Sequence, residues 1–232
     1  MMGRRAGSPG SGGSSPEQGR WAWARHALAQ AGAQPTRPSI IFSAPGFAAL
    51  LTFAVCLAWI PHLTQRLNPL TGDEPFYVMT AISLVEDGDL DETNNYAKRD
   101  YARFYPAFGP TANGWAAYPD PLPPHQSHTR RPGLYSKHGL GMALLIALPF
   151  AAGGRPLVLI VLAALSALLT ANMTLFARRY TRSPWIAFAV ALGLSLTAPL
   201  LTFSLLIFPE LPAALCTIYA LRRVLEPRNA WR

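Results

Sequence analysis

Cysteine is nearly absent from this sequence. Only Cys56 and Cys216 occur, both inside apolar stretches. That leaves no disulfide framework and no CxxC metal pattern, so each reads as a small hydrophobe. Charge is scarce too. Of 232 residues, 14% are charged against 50% hydrophobic, and the apolar residues come in blocks, which excludes an ordinary soluble domain. GxGxxG, Walker A, GxSxG and nucleic-acid modules are all missing, and no internal repeat is visible. The net charge of +8 does not point to nucleic acid, because the basic residues stand beside the apolar blocks, as they do in membrane proteins.

The blocks give the expected architecture: an all-α integral membrane protein of about four transmembrane helices, with amphipathic surface helices in a large first outer loop. Residues 1–38 carry five Arg and one Glu and read as a disordered, basic, cytoplasmic tail. Residues 39–60, "SIIFSAPGFAALLTFAVCLAWI", form an uncharged first span that suffices to cross a core of roughly 30 Å. Residues 61–138 hold nine acids and seven bases, too polar to span and too long for a mere connector. The short block 140–154 contains Pro149 and ends in Gly-Gly, which suits an interfacial or re-entrant helix closing an extracytoplasmic region over 61–154. Residues 156–177, 185–200 and 211–223 are the remaining spans, with a cytoplasmic loop at 178–184, an outer loop at 201–210 and a cytoplasmic end at 224–232. Charge selects this arrangement: it puts Arg178, Arg179, Arg182, Arg222 and Arg223 inside, as the positive-inside rule requires. Glu210, in "FPELP", then faces the same outer side as Asp73 and Glu74.

Asp73 and Glu74 stand side by side in "TGDEPFY". Glu74 precedes Pro75 and is pushed away from helical geometry, while Pro75 suits a first helical turn. Val78, Met79, Ile82 and Val85 then repeat at helical spacing on one face, and Gly88 ends the helix. The spacing predicts an interfacial helix over 75–87 whose N-terminus favours ionised carboxylates. A plain cap needs one acid, and here there are two. Glu210 reads equally as a cap or as a functional acid.

The acidic run "DGDLDETNN" fails as an EF-hand, since the sixth and twelfth positions hold Glu92 and Lys98 where Gly and Glu are needed; a solvated turn or a looser divalent site remains. His125, His128 and His138 share no HxxxH or HExxH spacing; no cofactor and no defined metal site are expected, with a divalent metal left open. Arg130, Arg131, Lys137 and His138 gather before the second block, where they can meet lipid headgroups or hold a phosphate.

Taken in order, "GDEPFY", "SLVEDGDLDETNNY", "YSKHGLGMALLIALPFAAGG" and "FPELPAAL" resemble the GT-C superfamily of membrane glycosyltransferases, the class of protein O-mannosyltransferases and aminoarabinose lipid A transferases. The resemblance implies transfer of a sugar from a polyprenyl-phosphate donor to an acceptor on the extracytoplasmic side of a bacterial inner membrane. It casts Asp73 as the carboxylate of the first outer loop that works as catalytic base or positions the acceptor, Glu74 as its neighbour and Glu210 as a second acid that helps shape the site, with Arg130, Arg131, Lys137 and His138 on the donor phosphate. The implied partners are the lipid-linked donor and membrane lipids, with no nucleic acid. Family members are longer, so the chain is expected to be an N-terminal portion whose fold a downstream chain completes. The alternatives are a non-catalytic membrane protein, such as a transporter piece or assembly subunit, and an inactive truncated product.

Overall fold

Residues 43–65, 70–104 and 121–225 are described by a computed structural model. The expected tail over 1–38 and the chain beyond 225 lie outside the described residues. Every regular element among the described residues is helical, and their one β-type feature is an isolated bridge between Gln126 and Ser136.

Helix α1 covers Ala44–Gln65. It places Pro45 in its first turn, where the missing N–H costs nothing, and runs on through Pro61. Helix α2, Glu74–Ile82, continues into a π-helical turn, Ser83–Asp87. Helix α3, Thr93–Lys98, is followed by a 3-10 turn, Asp100–Arg103. Helix α4, Leu140–Ala177, is broken by non-helical geometry at Gly153 and Gly154. Helices α5 (Pro184–Ser195), α6 (Leu200–Ser204) and α7 (Glu210–Val224) complete the order. Helices α1 and α4 are both long and apolar enough to cross a membrane.

Helix α4 is the centre of the packing and touches α1, α2, α5, α6 and α7. Its Met142, Ile146, Phe150, Val158, Leu162 and Leu169 share one core with Ile60 of α1 and with Ile207 and Leu211 at the start of α7. Two pairs of buried hydroxyls tie the apolar helices together. Thr170 donates to Ser195 at 2.8 Å and Ser204 donates to Ser166 at 2.8 Å, so neither pair leaves a polar group unmatched among apolar side chains.

Helix α2 differs from the amphipathic surface helix expected over 75–87. All nine of its residues are buried. Tyr77, Val78, Ala81 and Ile82 join the main core, while Phe76 and Met79 pack on the other side against Tyr101 and Leu122. The second face is covered by segments far along the chain, which periodicity within the helix cannot register. Each large apolar side chain so buried contributes roughly 1.5–3 kcal/mol.

The expected span at 185–200 also changes. Helix α5 stops at Ser195, because Thr197 donates its hydroxyl back to the Gly193 carbonyl at 2.9 Å and Pro199 has no N–H to continue the ladder. The short α6 then occupies part of the expected outer loop. The helix expected over 140–154 is present as the first arm of α4, separated from the second arm by the non-helical Gly153 and Gly154.

Candidate functional site

The turn before α2 separates the two adjacent acids. Gly72 adopts φ +57, and a Cβ there would stand 3.2 Å from Phe208, so glycine suits both the left-handed backbone and the close approach. Beyond it, Glu74 is fully buried. One of its carboxylate oxygens accepts from the Thr71 N–H at 2.8 Å and from the Thr71 hydroxyl at 3.3 Å. The other accepts from the buried Ile207 N–H at 2.8 Å. Glu74 therefore caps its own turn and anchors the segment that leads into α7.

Asp73 does something else. It occupies the N-cap position of α2, but its side chain makes no cap hydrogen bond. The carboxylate, 43% exposed, faces two imidazoles, with Oδ1 4.0 Å from His125 Nδ1 and Oδ2 3.7 Å from His138 Nδ1. The two histidines meet each other at 3.2 Å, His125 Nδ1 to His138 Nε2.

A loop closed on itself brings the histidines to this point. The Ser127 N–H donates to the Tyr135 carbonyl at 2.7 Å and the Lys137 N–H to the His125 carbonyl at 2.9 Å, which aligns positions 125 and 138. The acidic turn fastens the loop from outside: the Leu134 N–H donates to Asp91 Oδ1 and to Thr93 Oγ1, each at 3.0 Å, and the Glu92 N–H donates to the Leu134 carbonyl at 2.8 Å. The "DGDLDETNN" run is thus a clamp for the histidine loop. Phe76 then stacks on the His125 ring at 3.7 Å between centroids and lies over His138 at 5.4 Å, fixing both ring planes.

Burial lowers the pKa of both imidazoles. The Lys137 ammonium pushes each further down, and Asp73 opposes the change in each. The rings are therefore neutral above about pH 6.5, and their short contact is an N–H donating to a ring nitrogen. Tyr77 beside them has its pKa raised, by burial first and then by the charges of Asp73 and Glu210. Glu210 is the exposed first residue of α7, within electrostatic reach of the same phenol as Asp73.

Not every expected residue gathers here. Lys137 and His138 do, whereas Arg130 and Arg131 sit exposed on the far part of the loop. His125 was not singled out by the sequence. Its ligand-like partners lie 13 residues away on one side and across the α2 turn on the other, so no short spacing marks it; the nearest signal was the density of histidines in "PPHQSHTRRPGLYSKHG". One nitrogen of each histidine and one Asp73 oxygen all lie within 4.8 Å of one another, a grouping suited either to passing protons or to holding a cation. No family model matches this chain, and no curated protein or solved structure matches it either.

Proposed function

We propose that this chain carries the acid–base centre of a membrane glycosyltransferase that moves a sugar from a polyprenyl-phosphate donor to an acceptor hydroxyl on the extracytoplasmic side. Asp73 takes the acceptor's proton. As the acceptor O–H breaks, its oxygen bonds to the anomeric carbon, and the bond from that carbon to the phosphate breaks with its electron pair going to the lipid phosphate. One observation carries this reading: of two adjacent acids, Glu74 is consumed by buried hydrogen bonds while Asp73 is uncapped and open to solvent beside two neutral imidazoles. A carboxylate so placed can accept a proton within hydrogen-bond reach. Lys137 is close enough to act on both imidazoles, with Arg130 and Arg131 further out on the loop to meet the phosphate charge.

The distribution of charge along the helices favours a membrane setting. Ile207, beside Glu74, leads into the start of α7, whereas Arg222 near its end donates to Asn172 of α4 at 2.7 Å. These points are separated by about 18 Å of helix. In this reading the Asp73 end faces outward, and Arg178, Arg179, Arg182, Arg222 and Arg223 face the cytoplasm.

The test is sugar transfer from a labelled polyprenyl-phosphate donor in membranes that contain the protein. Asp73→Asn should lower transfer by roughly 10²–10⁴-fold, the usual contribution of general acid–base catalysis, at unchanged protein level. Unchanged transfer would remove Asp73 from the mechanism, and no transfer by the wild-type chain would remove the activity.

A further inference from the structure

We propose that Asp73, His125 and His138 form a binding site for one divalent transition-metal ion of the zinc class, which joins the histidine loop to the start of α2. The site uses the same carboxylate as the glycosyl-transfer reading but does not depend on that reading.

The geometry of the ligand atoms is the first support. Nitrogen ligands about 2.0–2.1 Å from a tetrahedral zinc stand about 3.3–3.4 Å apart. The His125 Nδ1 to His138 Nε2 separation is 3.2 Å, close to that edge without rearrangement. Asp73 Oδ1 is 4.0 Å from the same His125 Nδ1, and one Asp73 oxygen lies within 4.8 Å of one nitrogen of each histidine, so rotation of the Asp73 side chain brings its carboxylate to the shared position. The ligand set is the second support. Two imidazoles and one carboxylate suit zinc and its neighbours in the first transition row far better than calcium or magnesium, which favour all-oxygen shells. Three protein ligands also leave a position open for water or a substrate oxygen.

The third support is the rigidity of the frame. Phe76 stacks on His125 at 3.7 Å. The loop is held by two backbone hydrogen bonds between its arms, and Asp91, Glu92 and Thr93 hold Leu134. His138 has only 9% of its side chain exposed. The imidazoles are thus held at the right separation before any ion arrives, which limits the ordering cost of binding. Asp73, being partly exposed, provides the approach from solvent. His128 lies on the same loop but outside the cluster, and is an internal control.

The experiment is metal binding by the full chain purified in detergent and stripped with chelator. Zn²⁺ is titrated by calorimetry, and Co²⁺ replaces it for an absorption spectrum that reports tetrahedral nitrogen and oxygen ligation. The expected result is one ion per chain. Binding should weaken in His125→Ala and in His138→Ala by more than the roughly 10–100-fold that loss of an outer-shell partner costs, with His128→Ala unchanged. Zn²⁺ should also raise the wild-type unfolding temperature by mass action. Should His125→Ala not fold, the wild-type Co²⁺ spectrum decides by itself. The proposal is overturned if the wild type binds no ion, if the Co²⁺ spectrum is that of the hydrated ion, or if His128→Ala loses binding equally. Sugar transfer is read separately: a chain that binds metal and transfers nothing retains this inference and loses the previous one, while transfer by a chain that binds no metal does the reverse.

Discussion

Asp73 and Glu74 carry the same chemistry on neighbouring residues, and their roles diverge because only Glu74 is met by three donors. Replacing Glu74 by Ala leaves the buried Ile207 N–H without its acceptor, and an unsatisfied buried donor costs about 1–3 kcal/mol. The unfolding temperature in detergent should therefore fall for Glu74→Ala while Asp73→Asn leaves it nearly unchanged; equal losses would contradict the division of roles. Glu92 offers a second test. Burial pushes its carboxyl up from 4.5 to about 7, with the Thr80 contact opposing and Asp91 adding to the rise. The Thr80 hydroxyl donates to Glu92 Oε1 at 2.6 Å and also lies 2.9 Å from the Phe76 carbonyl. A raised folded-state pKa gives stability that is complete below pH 4.5 and is lost as pH rises through 7, on the order of 3 kcal/mol in all. Glu92→Gln should flatten the stability profile over that window, as read by unfolding at several pH values. The imidazoles of His125 and His138 act in the opposite sense. Their pKa values lie below 6.5, so their contribution is present above that pH and is lost as pH falls below it.

At the scale of elements, the two-glycine break in α4 shows what the sequence made legible and what it hid. Gly-Gly was readable as a boundary in the apolar block. The span resuming at 156 was readable too. The backbone angles that make the break were not: Gly154 sits at φ +60, ψ −156, a region essentially closed to residues with a Cβ. Gly154→Ala should destabilise by about 1–3 kcal/mol, whereas Gly193→Ala, where an added Cβ meets nothing within 4 Å, should stabilise by up to about 1 kcal/mol. Thermal unfolding of the two variants side by side checks the contrast. Helix α2 teaches the same lesson from the other side. Pro75 and Gly88 marked its extent well, because start and stop signals are local. Its burial depends on Tyr101 and Leu122, and nothing between residues 75 and 87 records them.

For the whole molecule, length separates the apolar helices. Helix α1, of 22 residues, and the arm of α4 that follows its break at Gly153 and Gly154 are each long enough for a core of roughly 30 Å. Helices α5 and α7, of 12 and 15 residues, reach only about 18 and 22 Å. The proposed orientation predicts a labelling pattern in intact cells with Cys216 replaced by Ser. Cysteine at the exposed position His128 should react with a membrane-impermeant maleimide, and cysteine at Tyr180, also exposed, should react only after permeabilisation. The reverse pattern would invert the protein in the membrane. What the sequence showed of the site at this scale was its acids, which stand beside apolar blocks. His138 was among the sequence's candidates as a phosphate contact, but its pairing with His125 was hidden because only loop closure aligns residue 125 with residue 138, and only the turn at Gly72 presents Asp73 to both.

The hydrogen bond from Ile207 to Glu74 spans 133 residues of chain. At 5–20 residues per second of synthesis, roughly 7–27 s separate the appearance of the acid from that of its donor. Throughout that interval the ribosome presents a carboxylate destined for a dry interior with its most distant partner not yet made. The Glu74 anchor is thus completed only after residue 207 has been made. A chain stalled before residue 207 would expose this unfinished carboxylate to the cell's quality-control proteases.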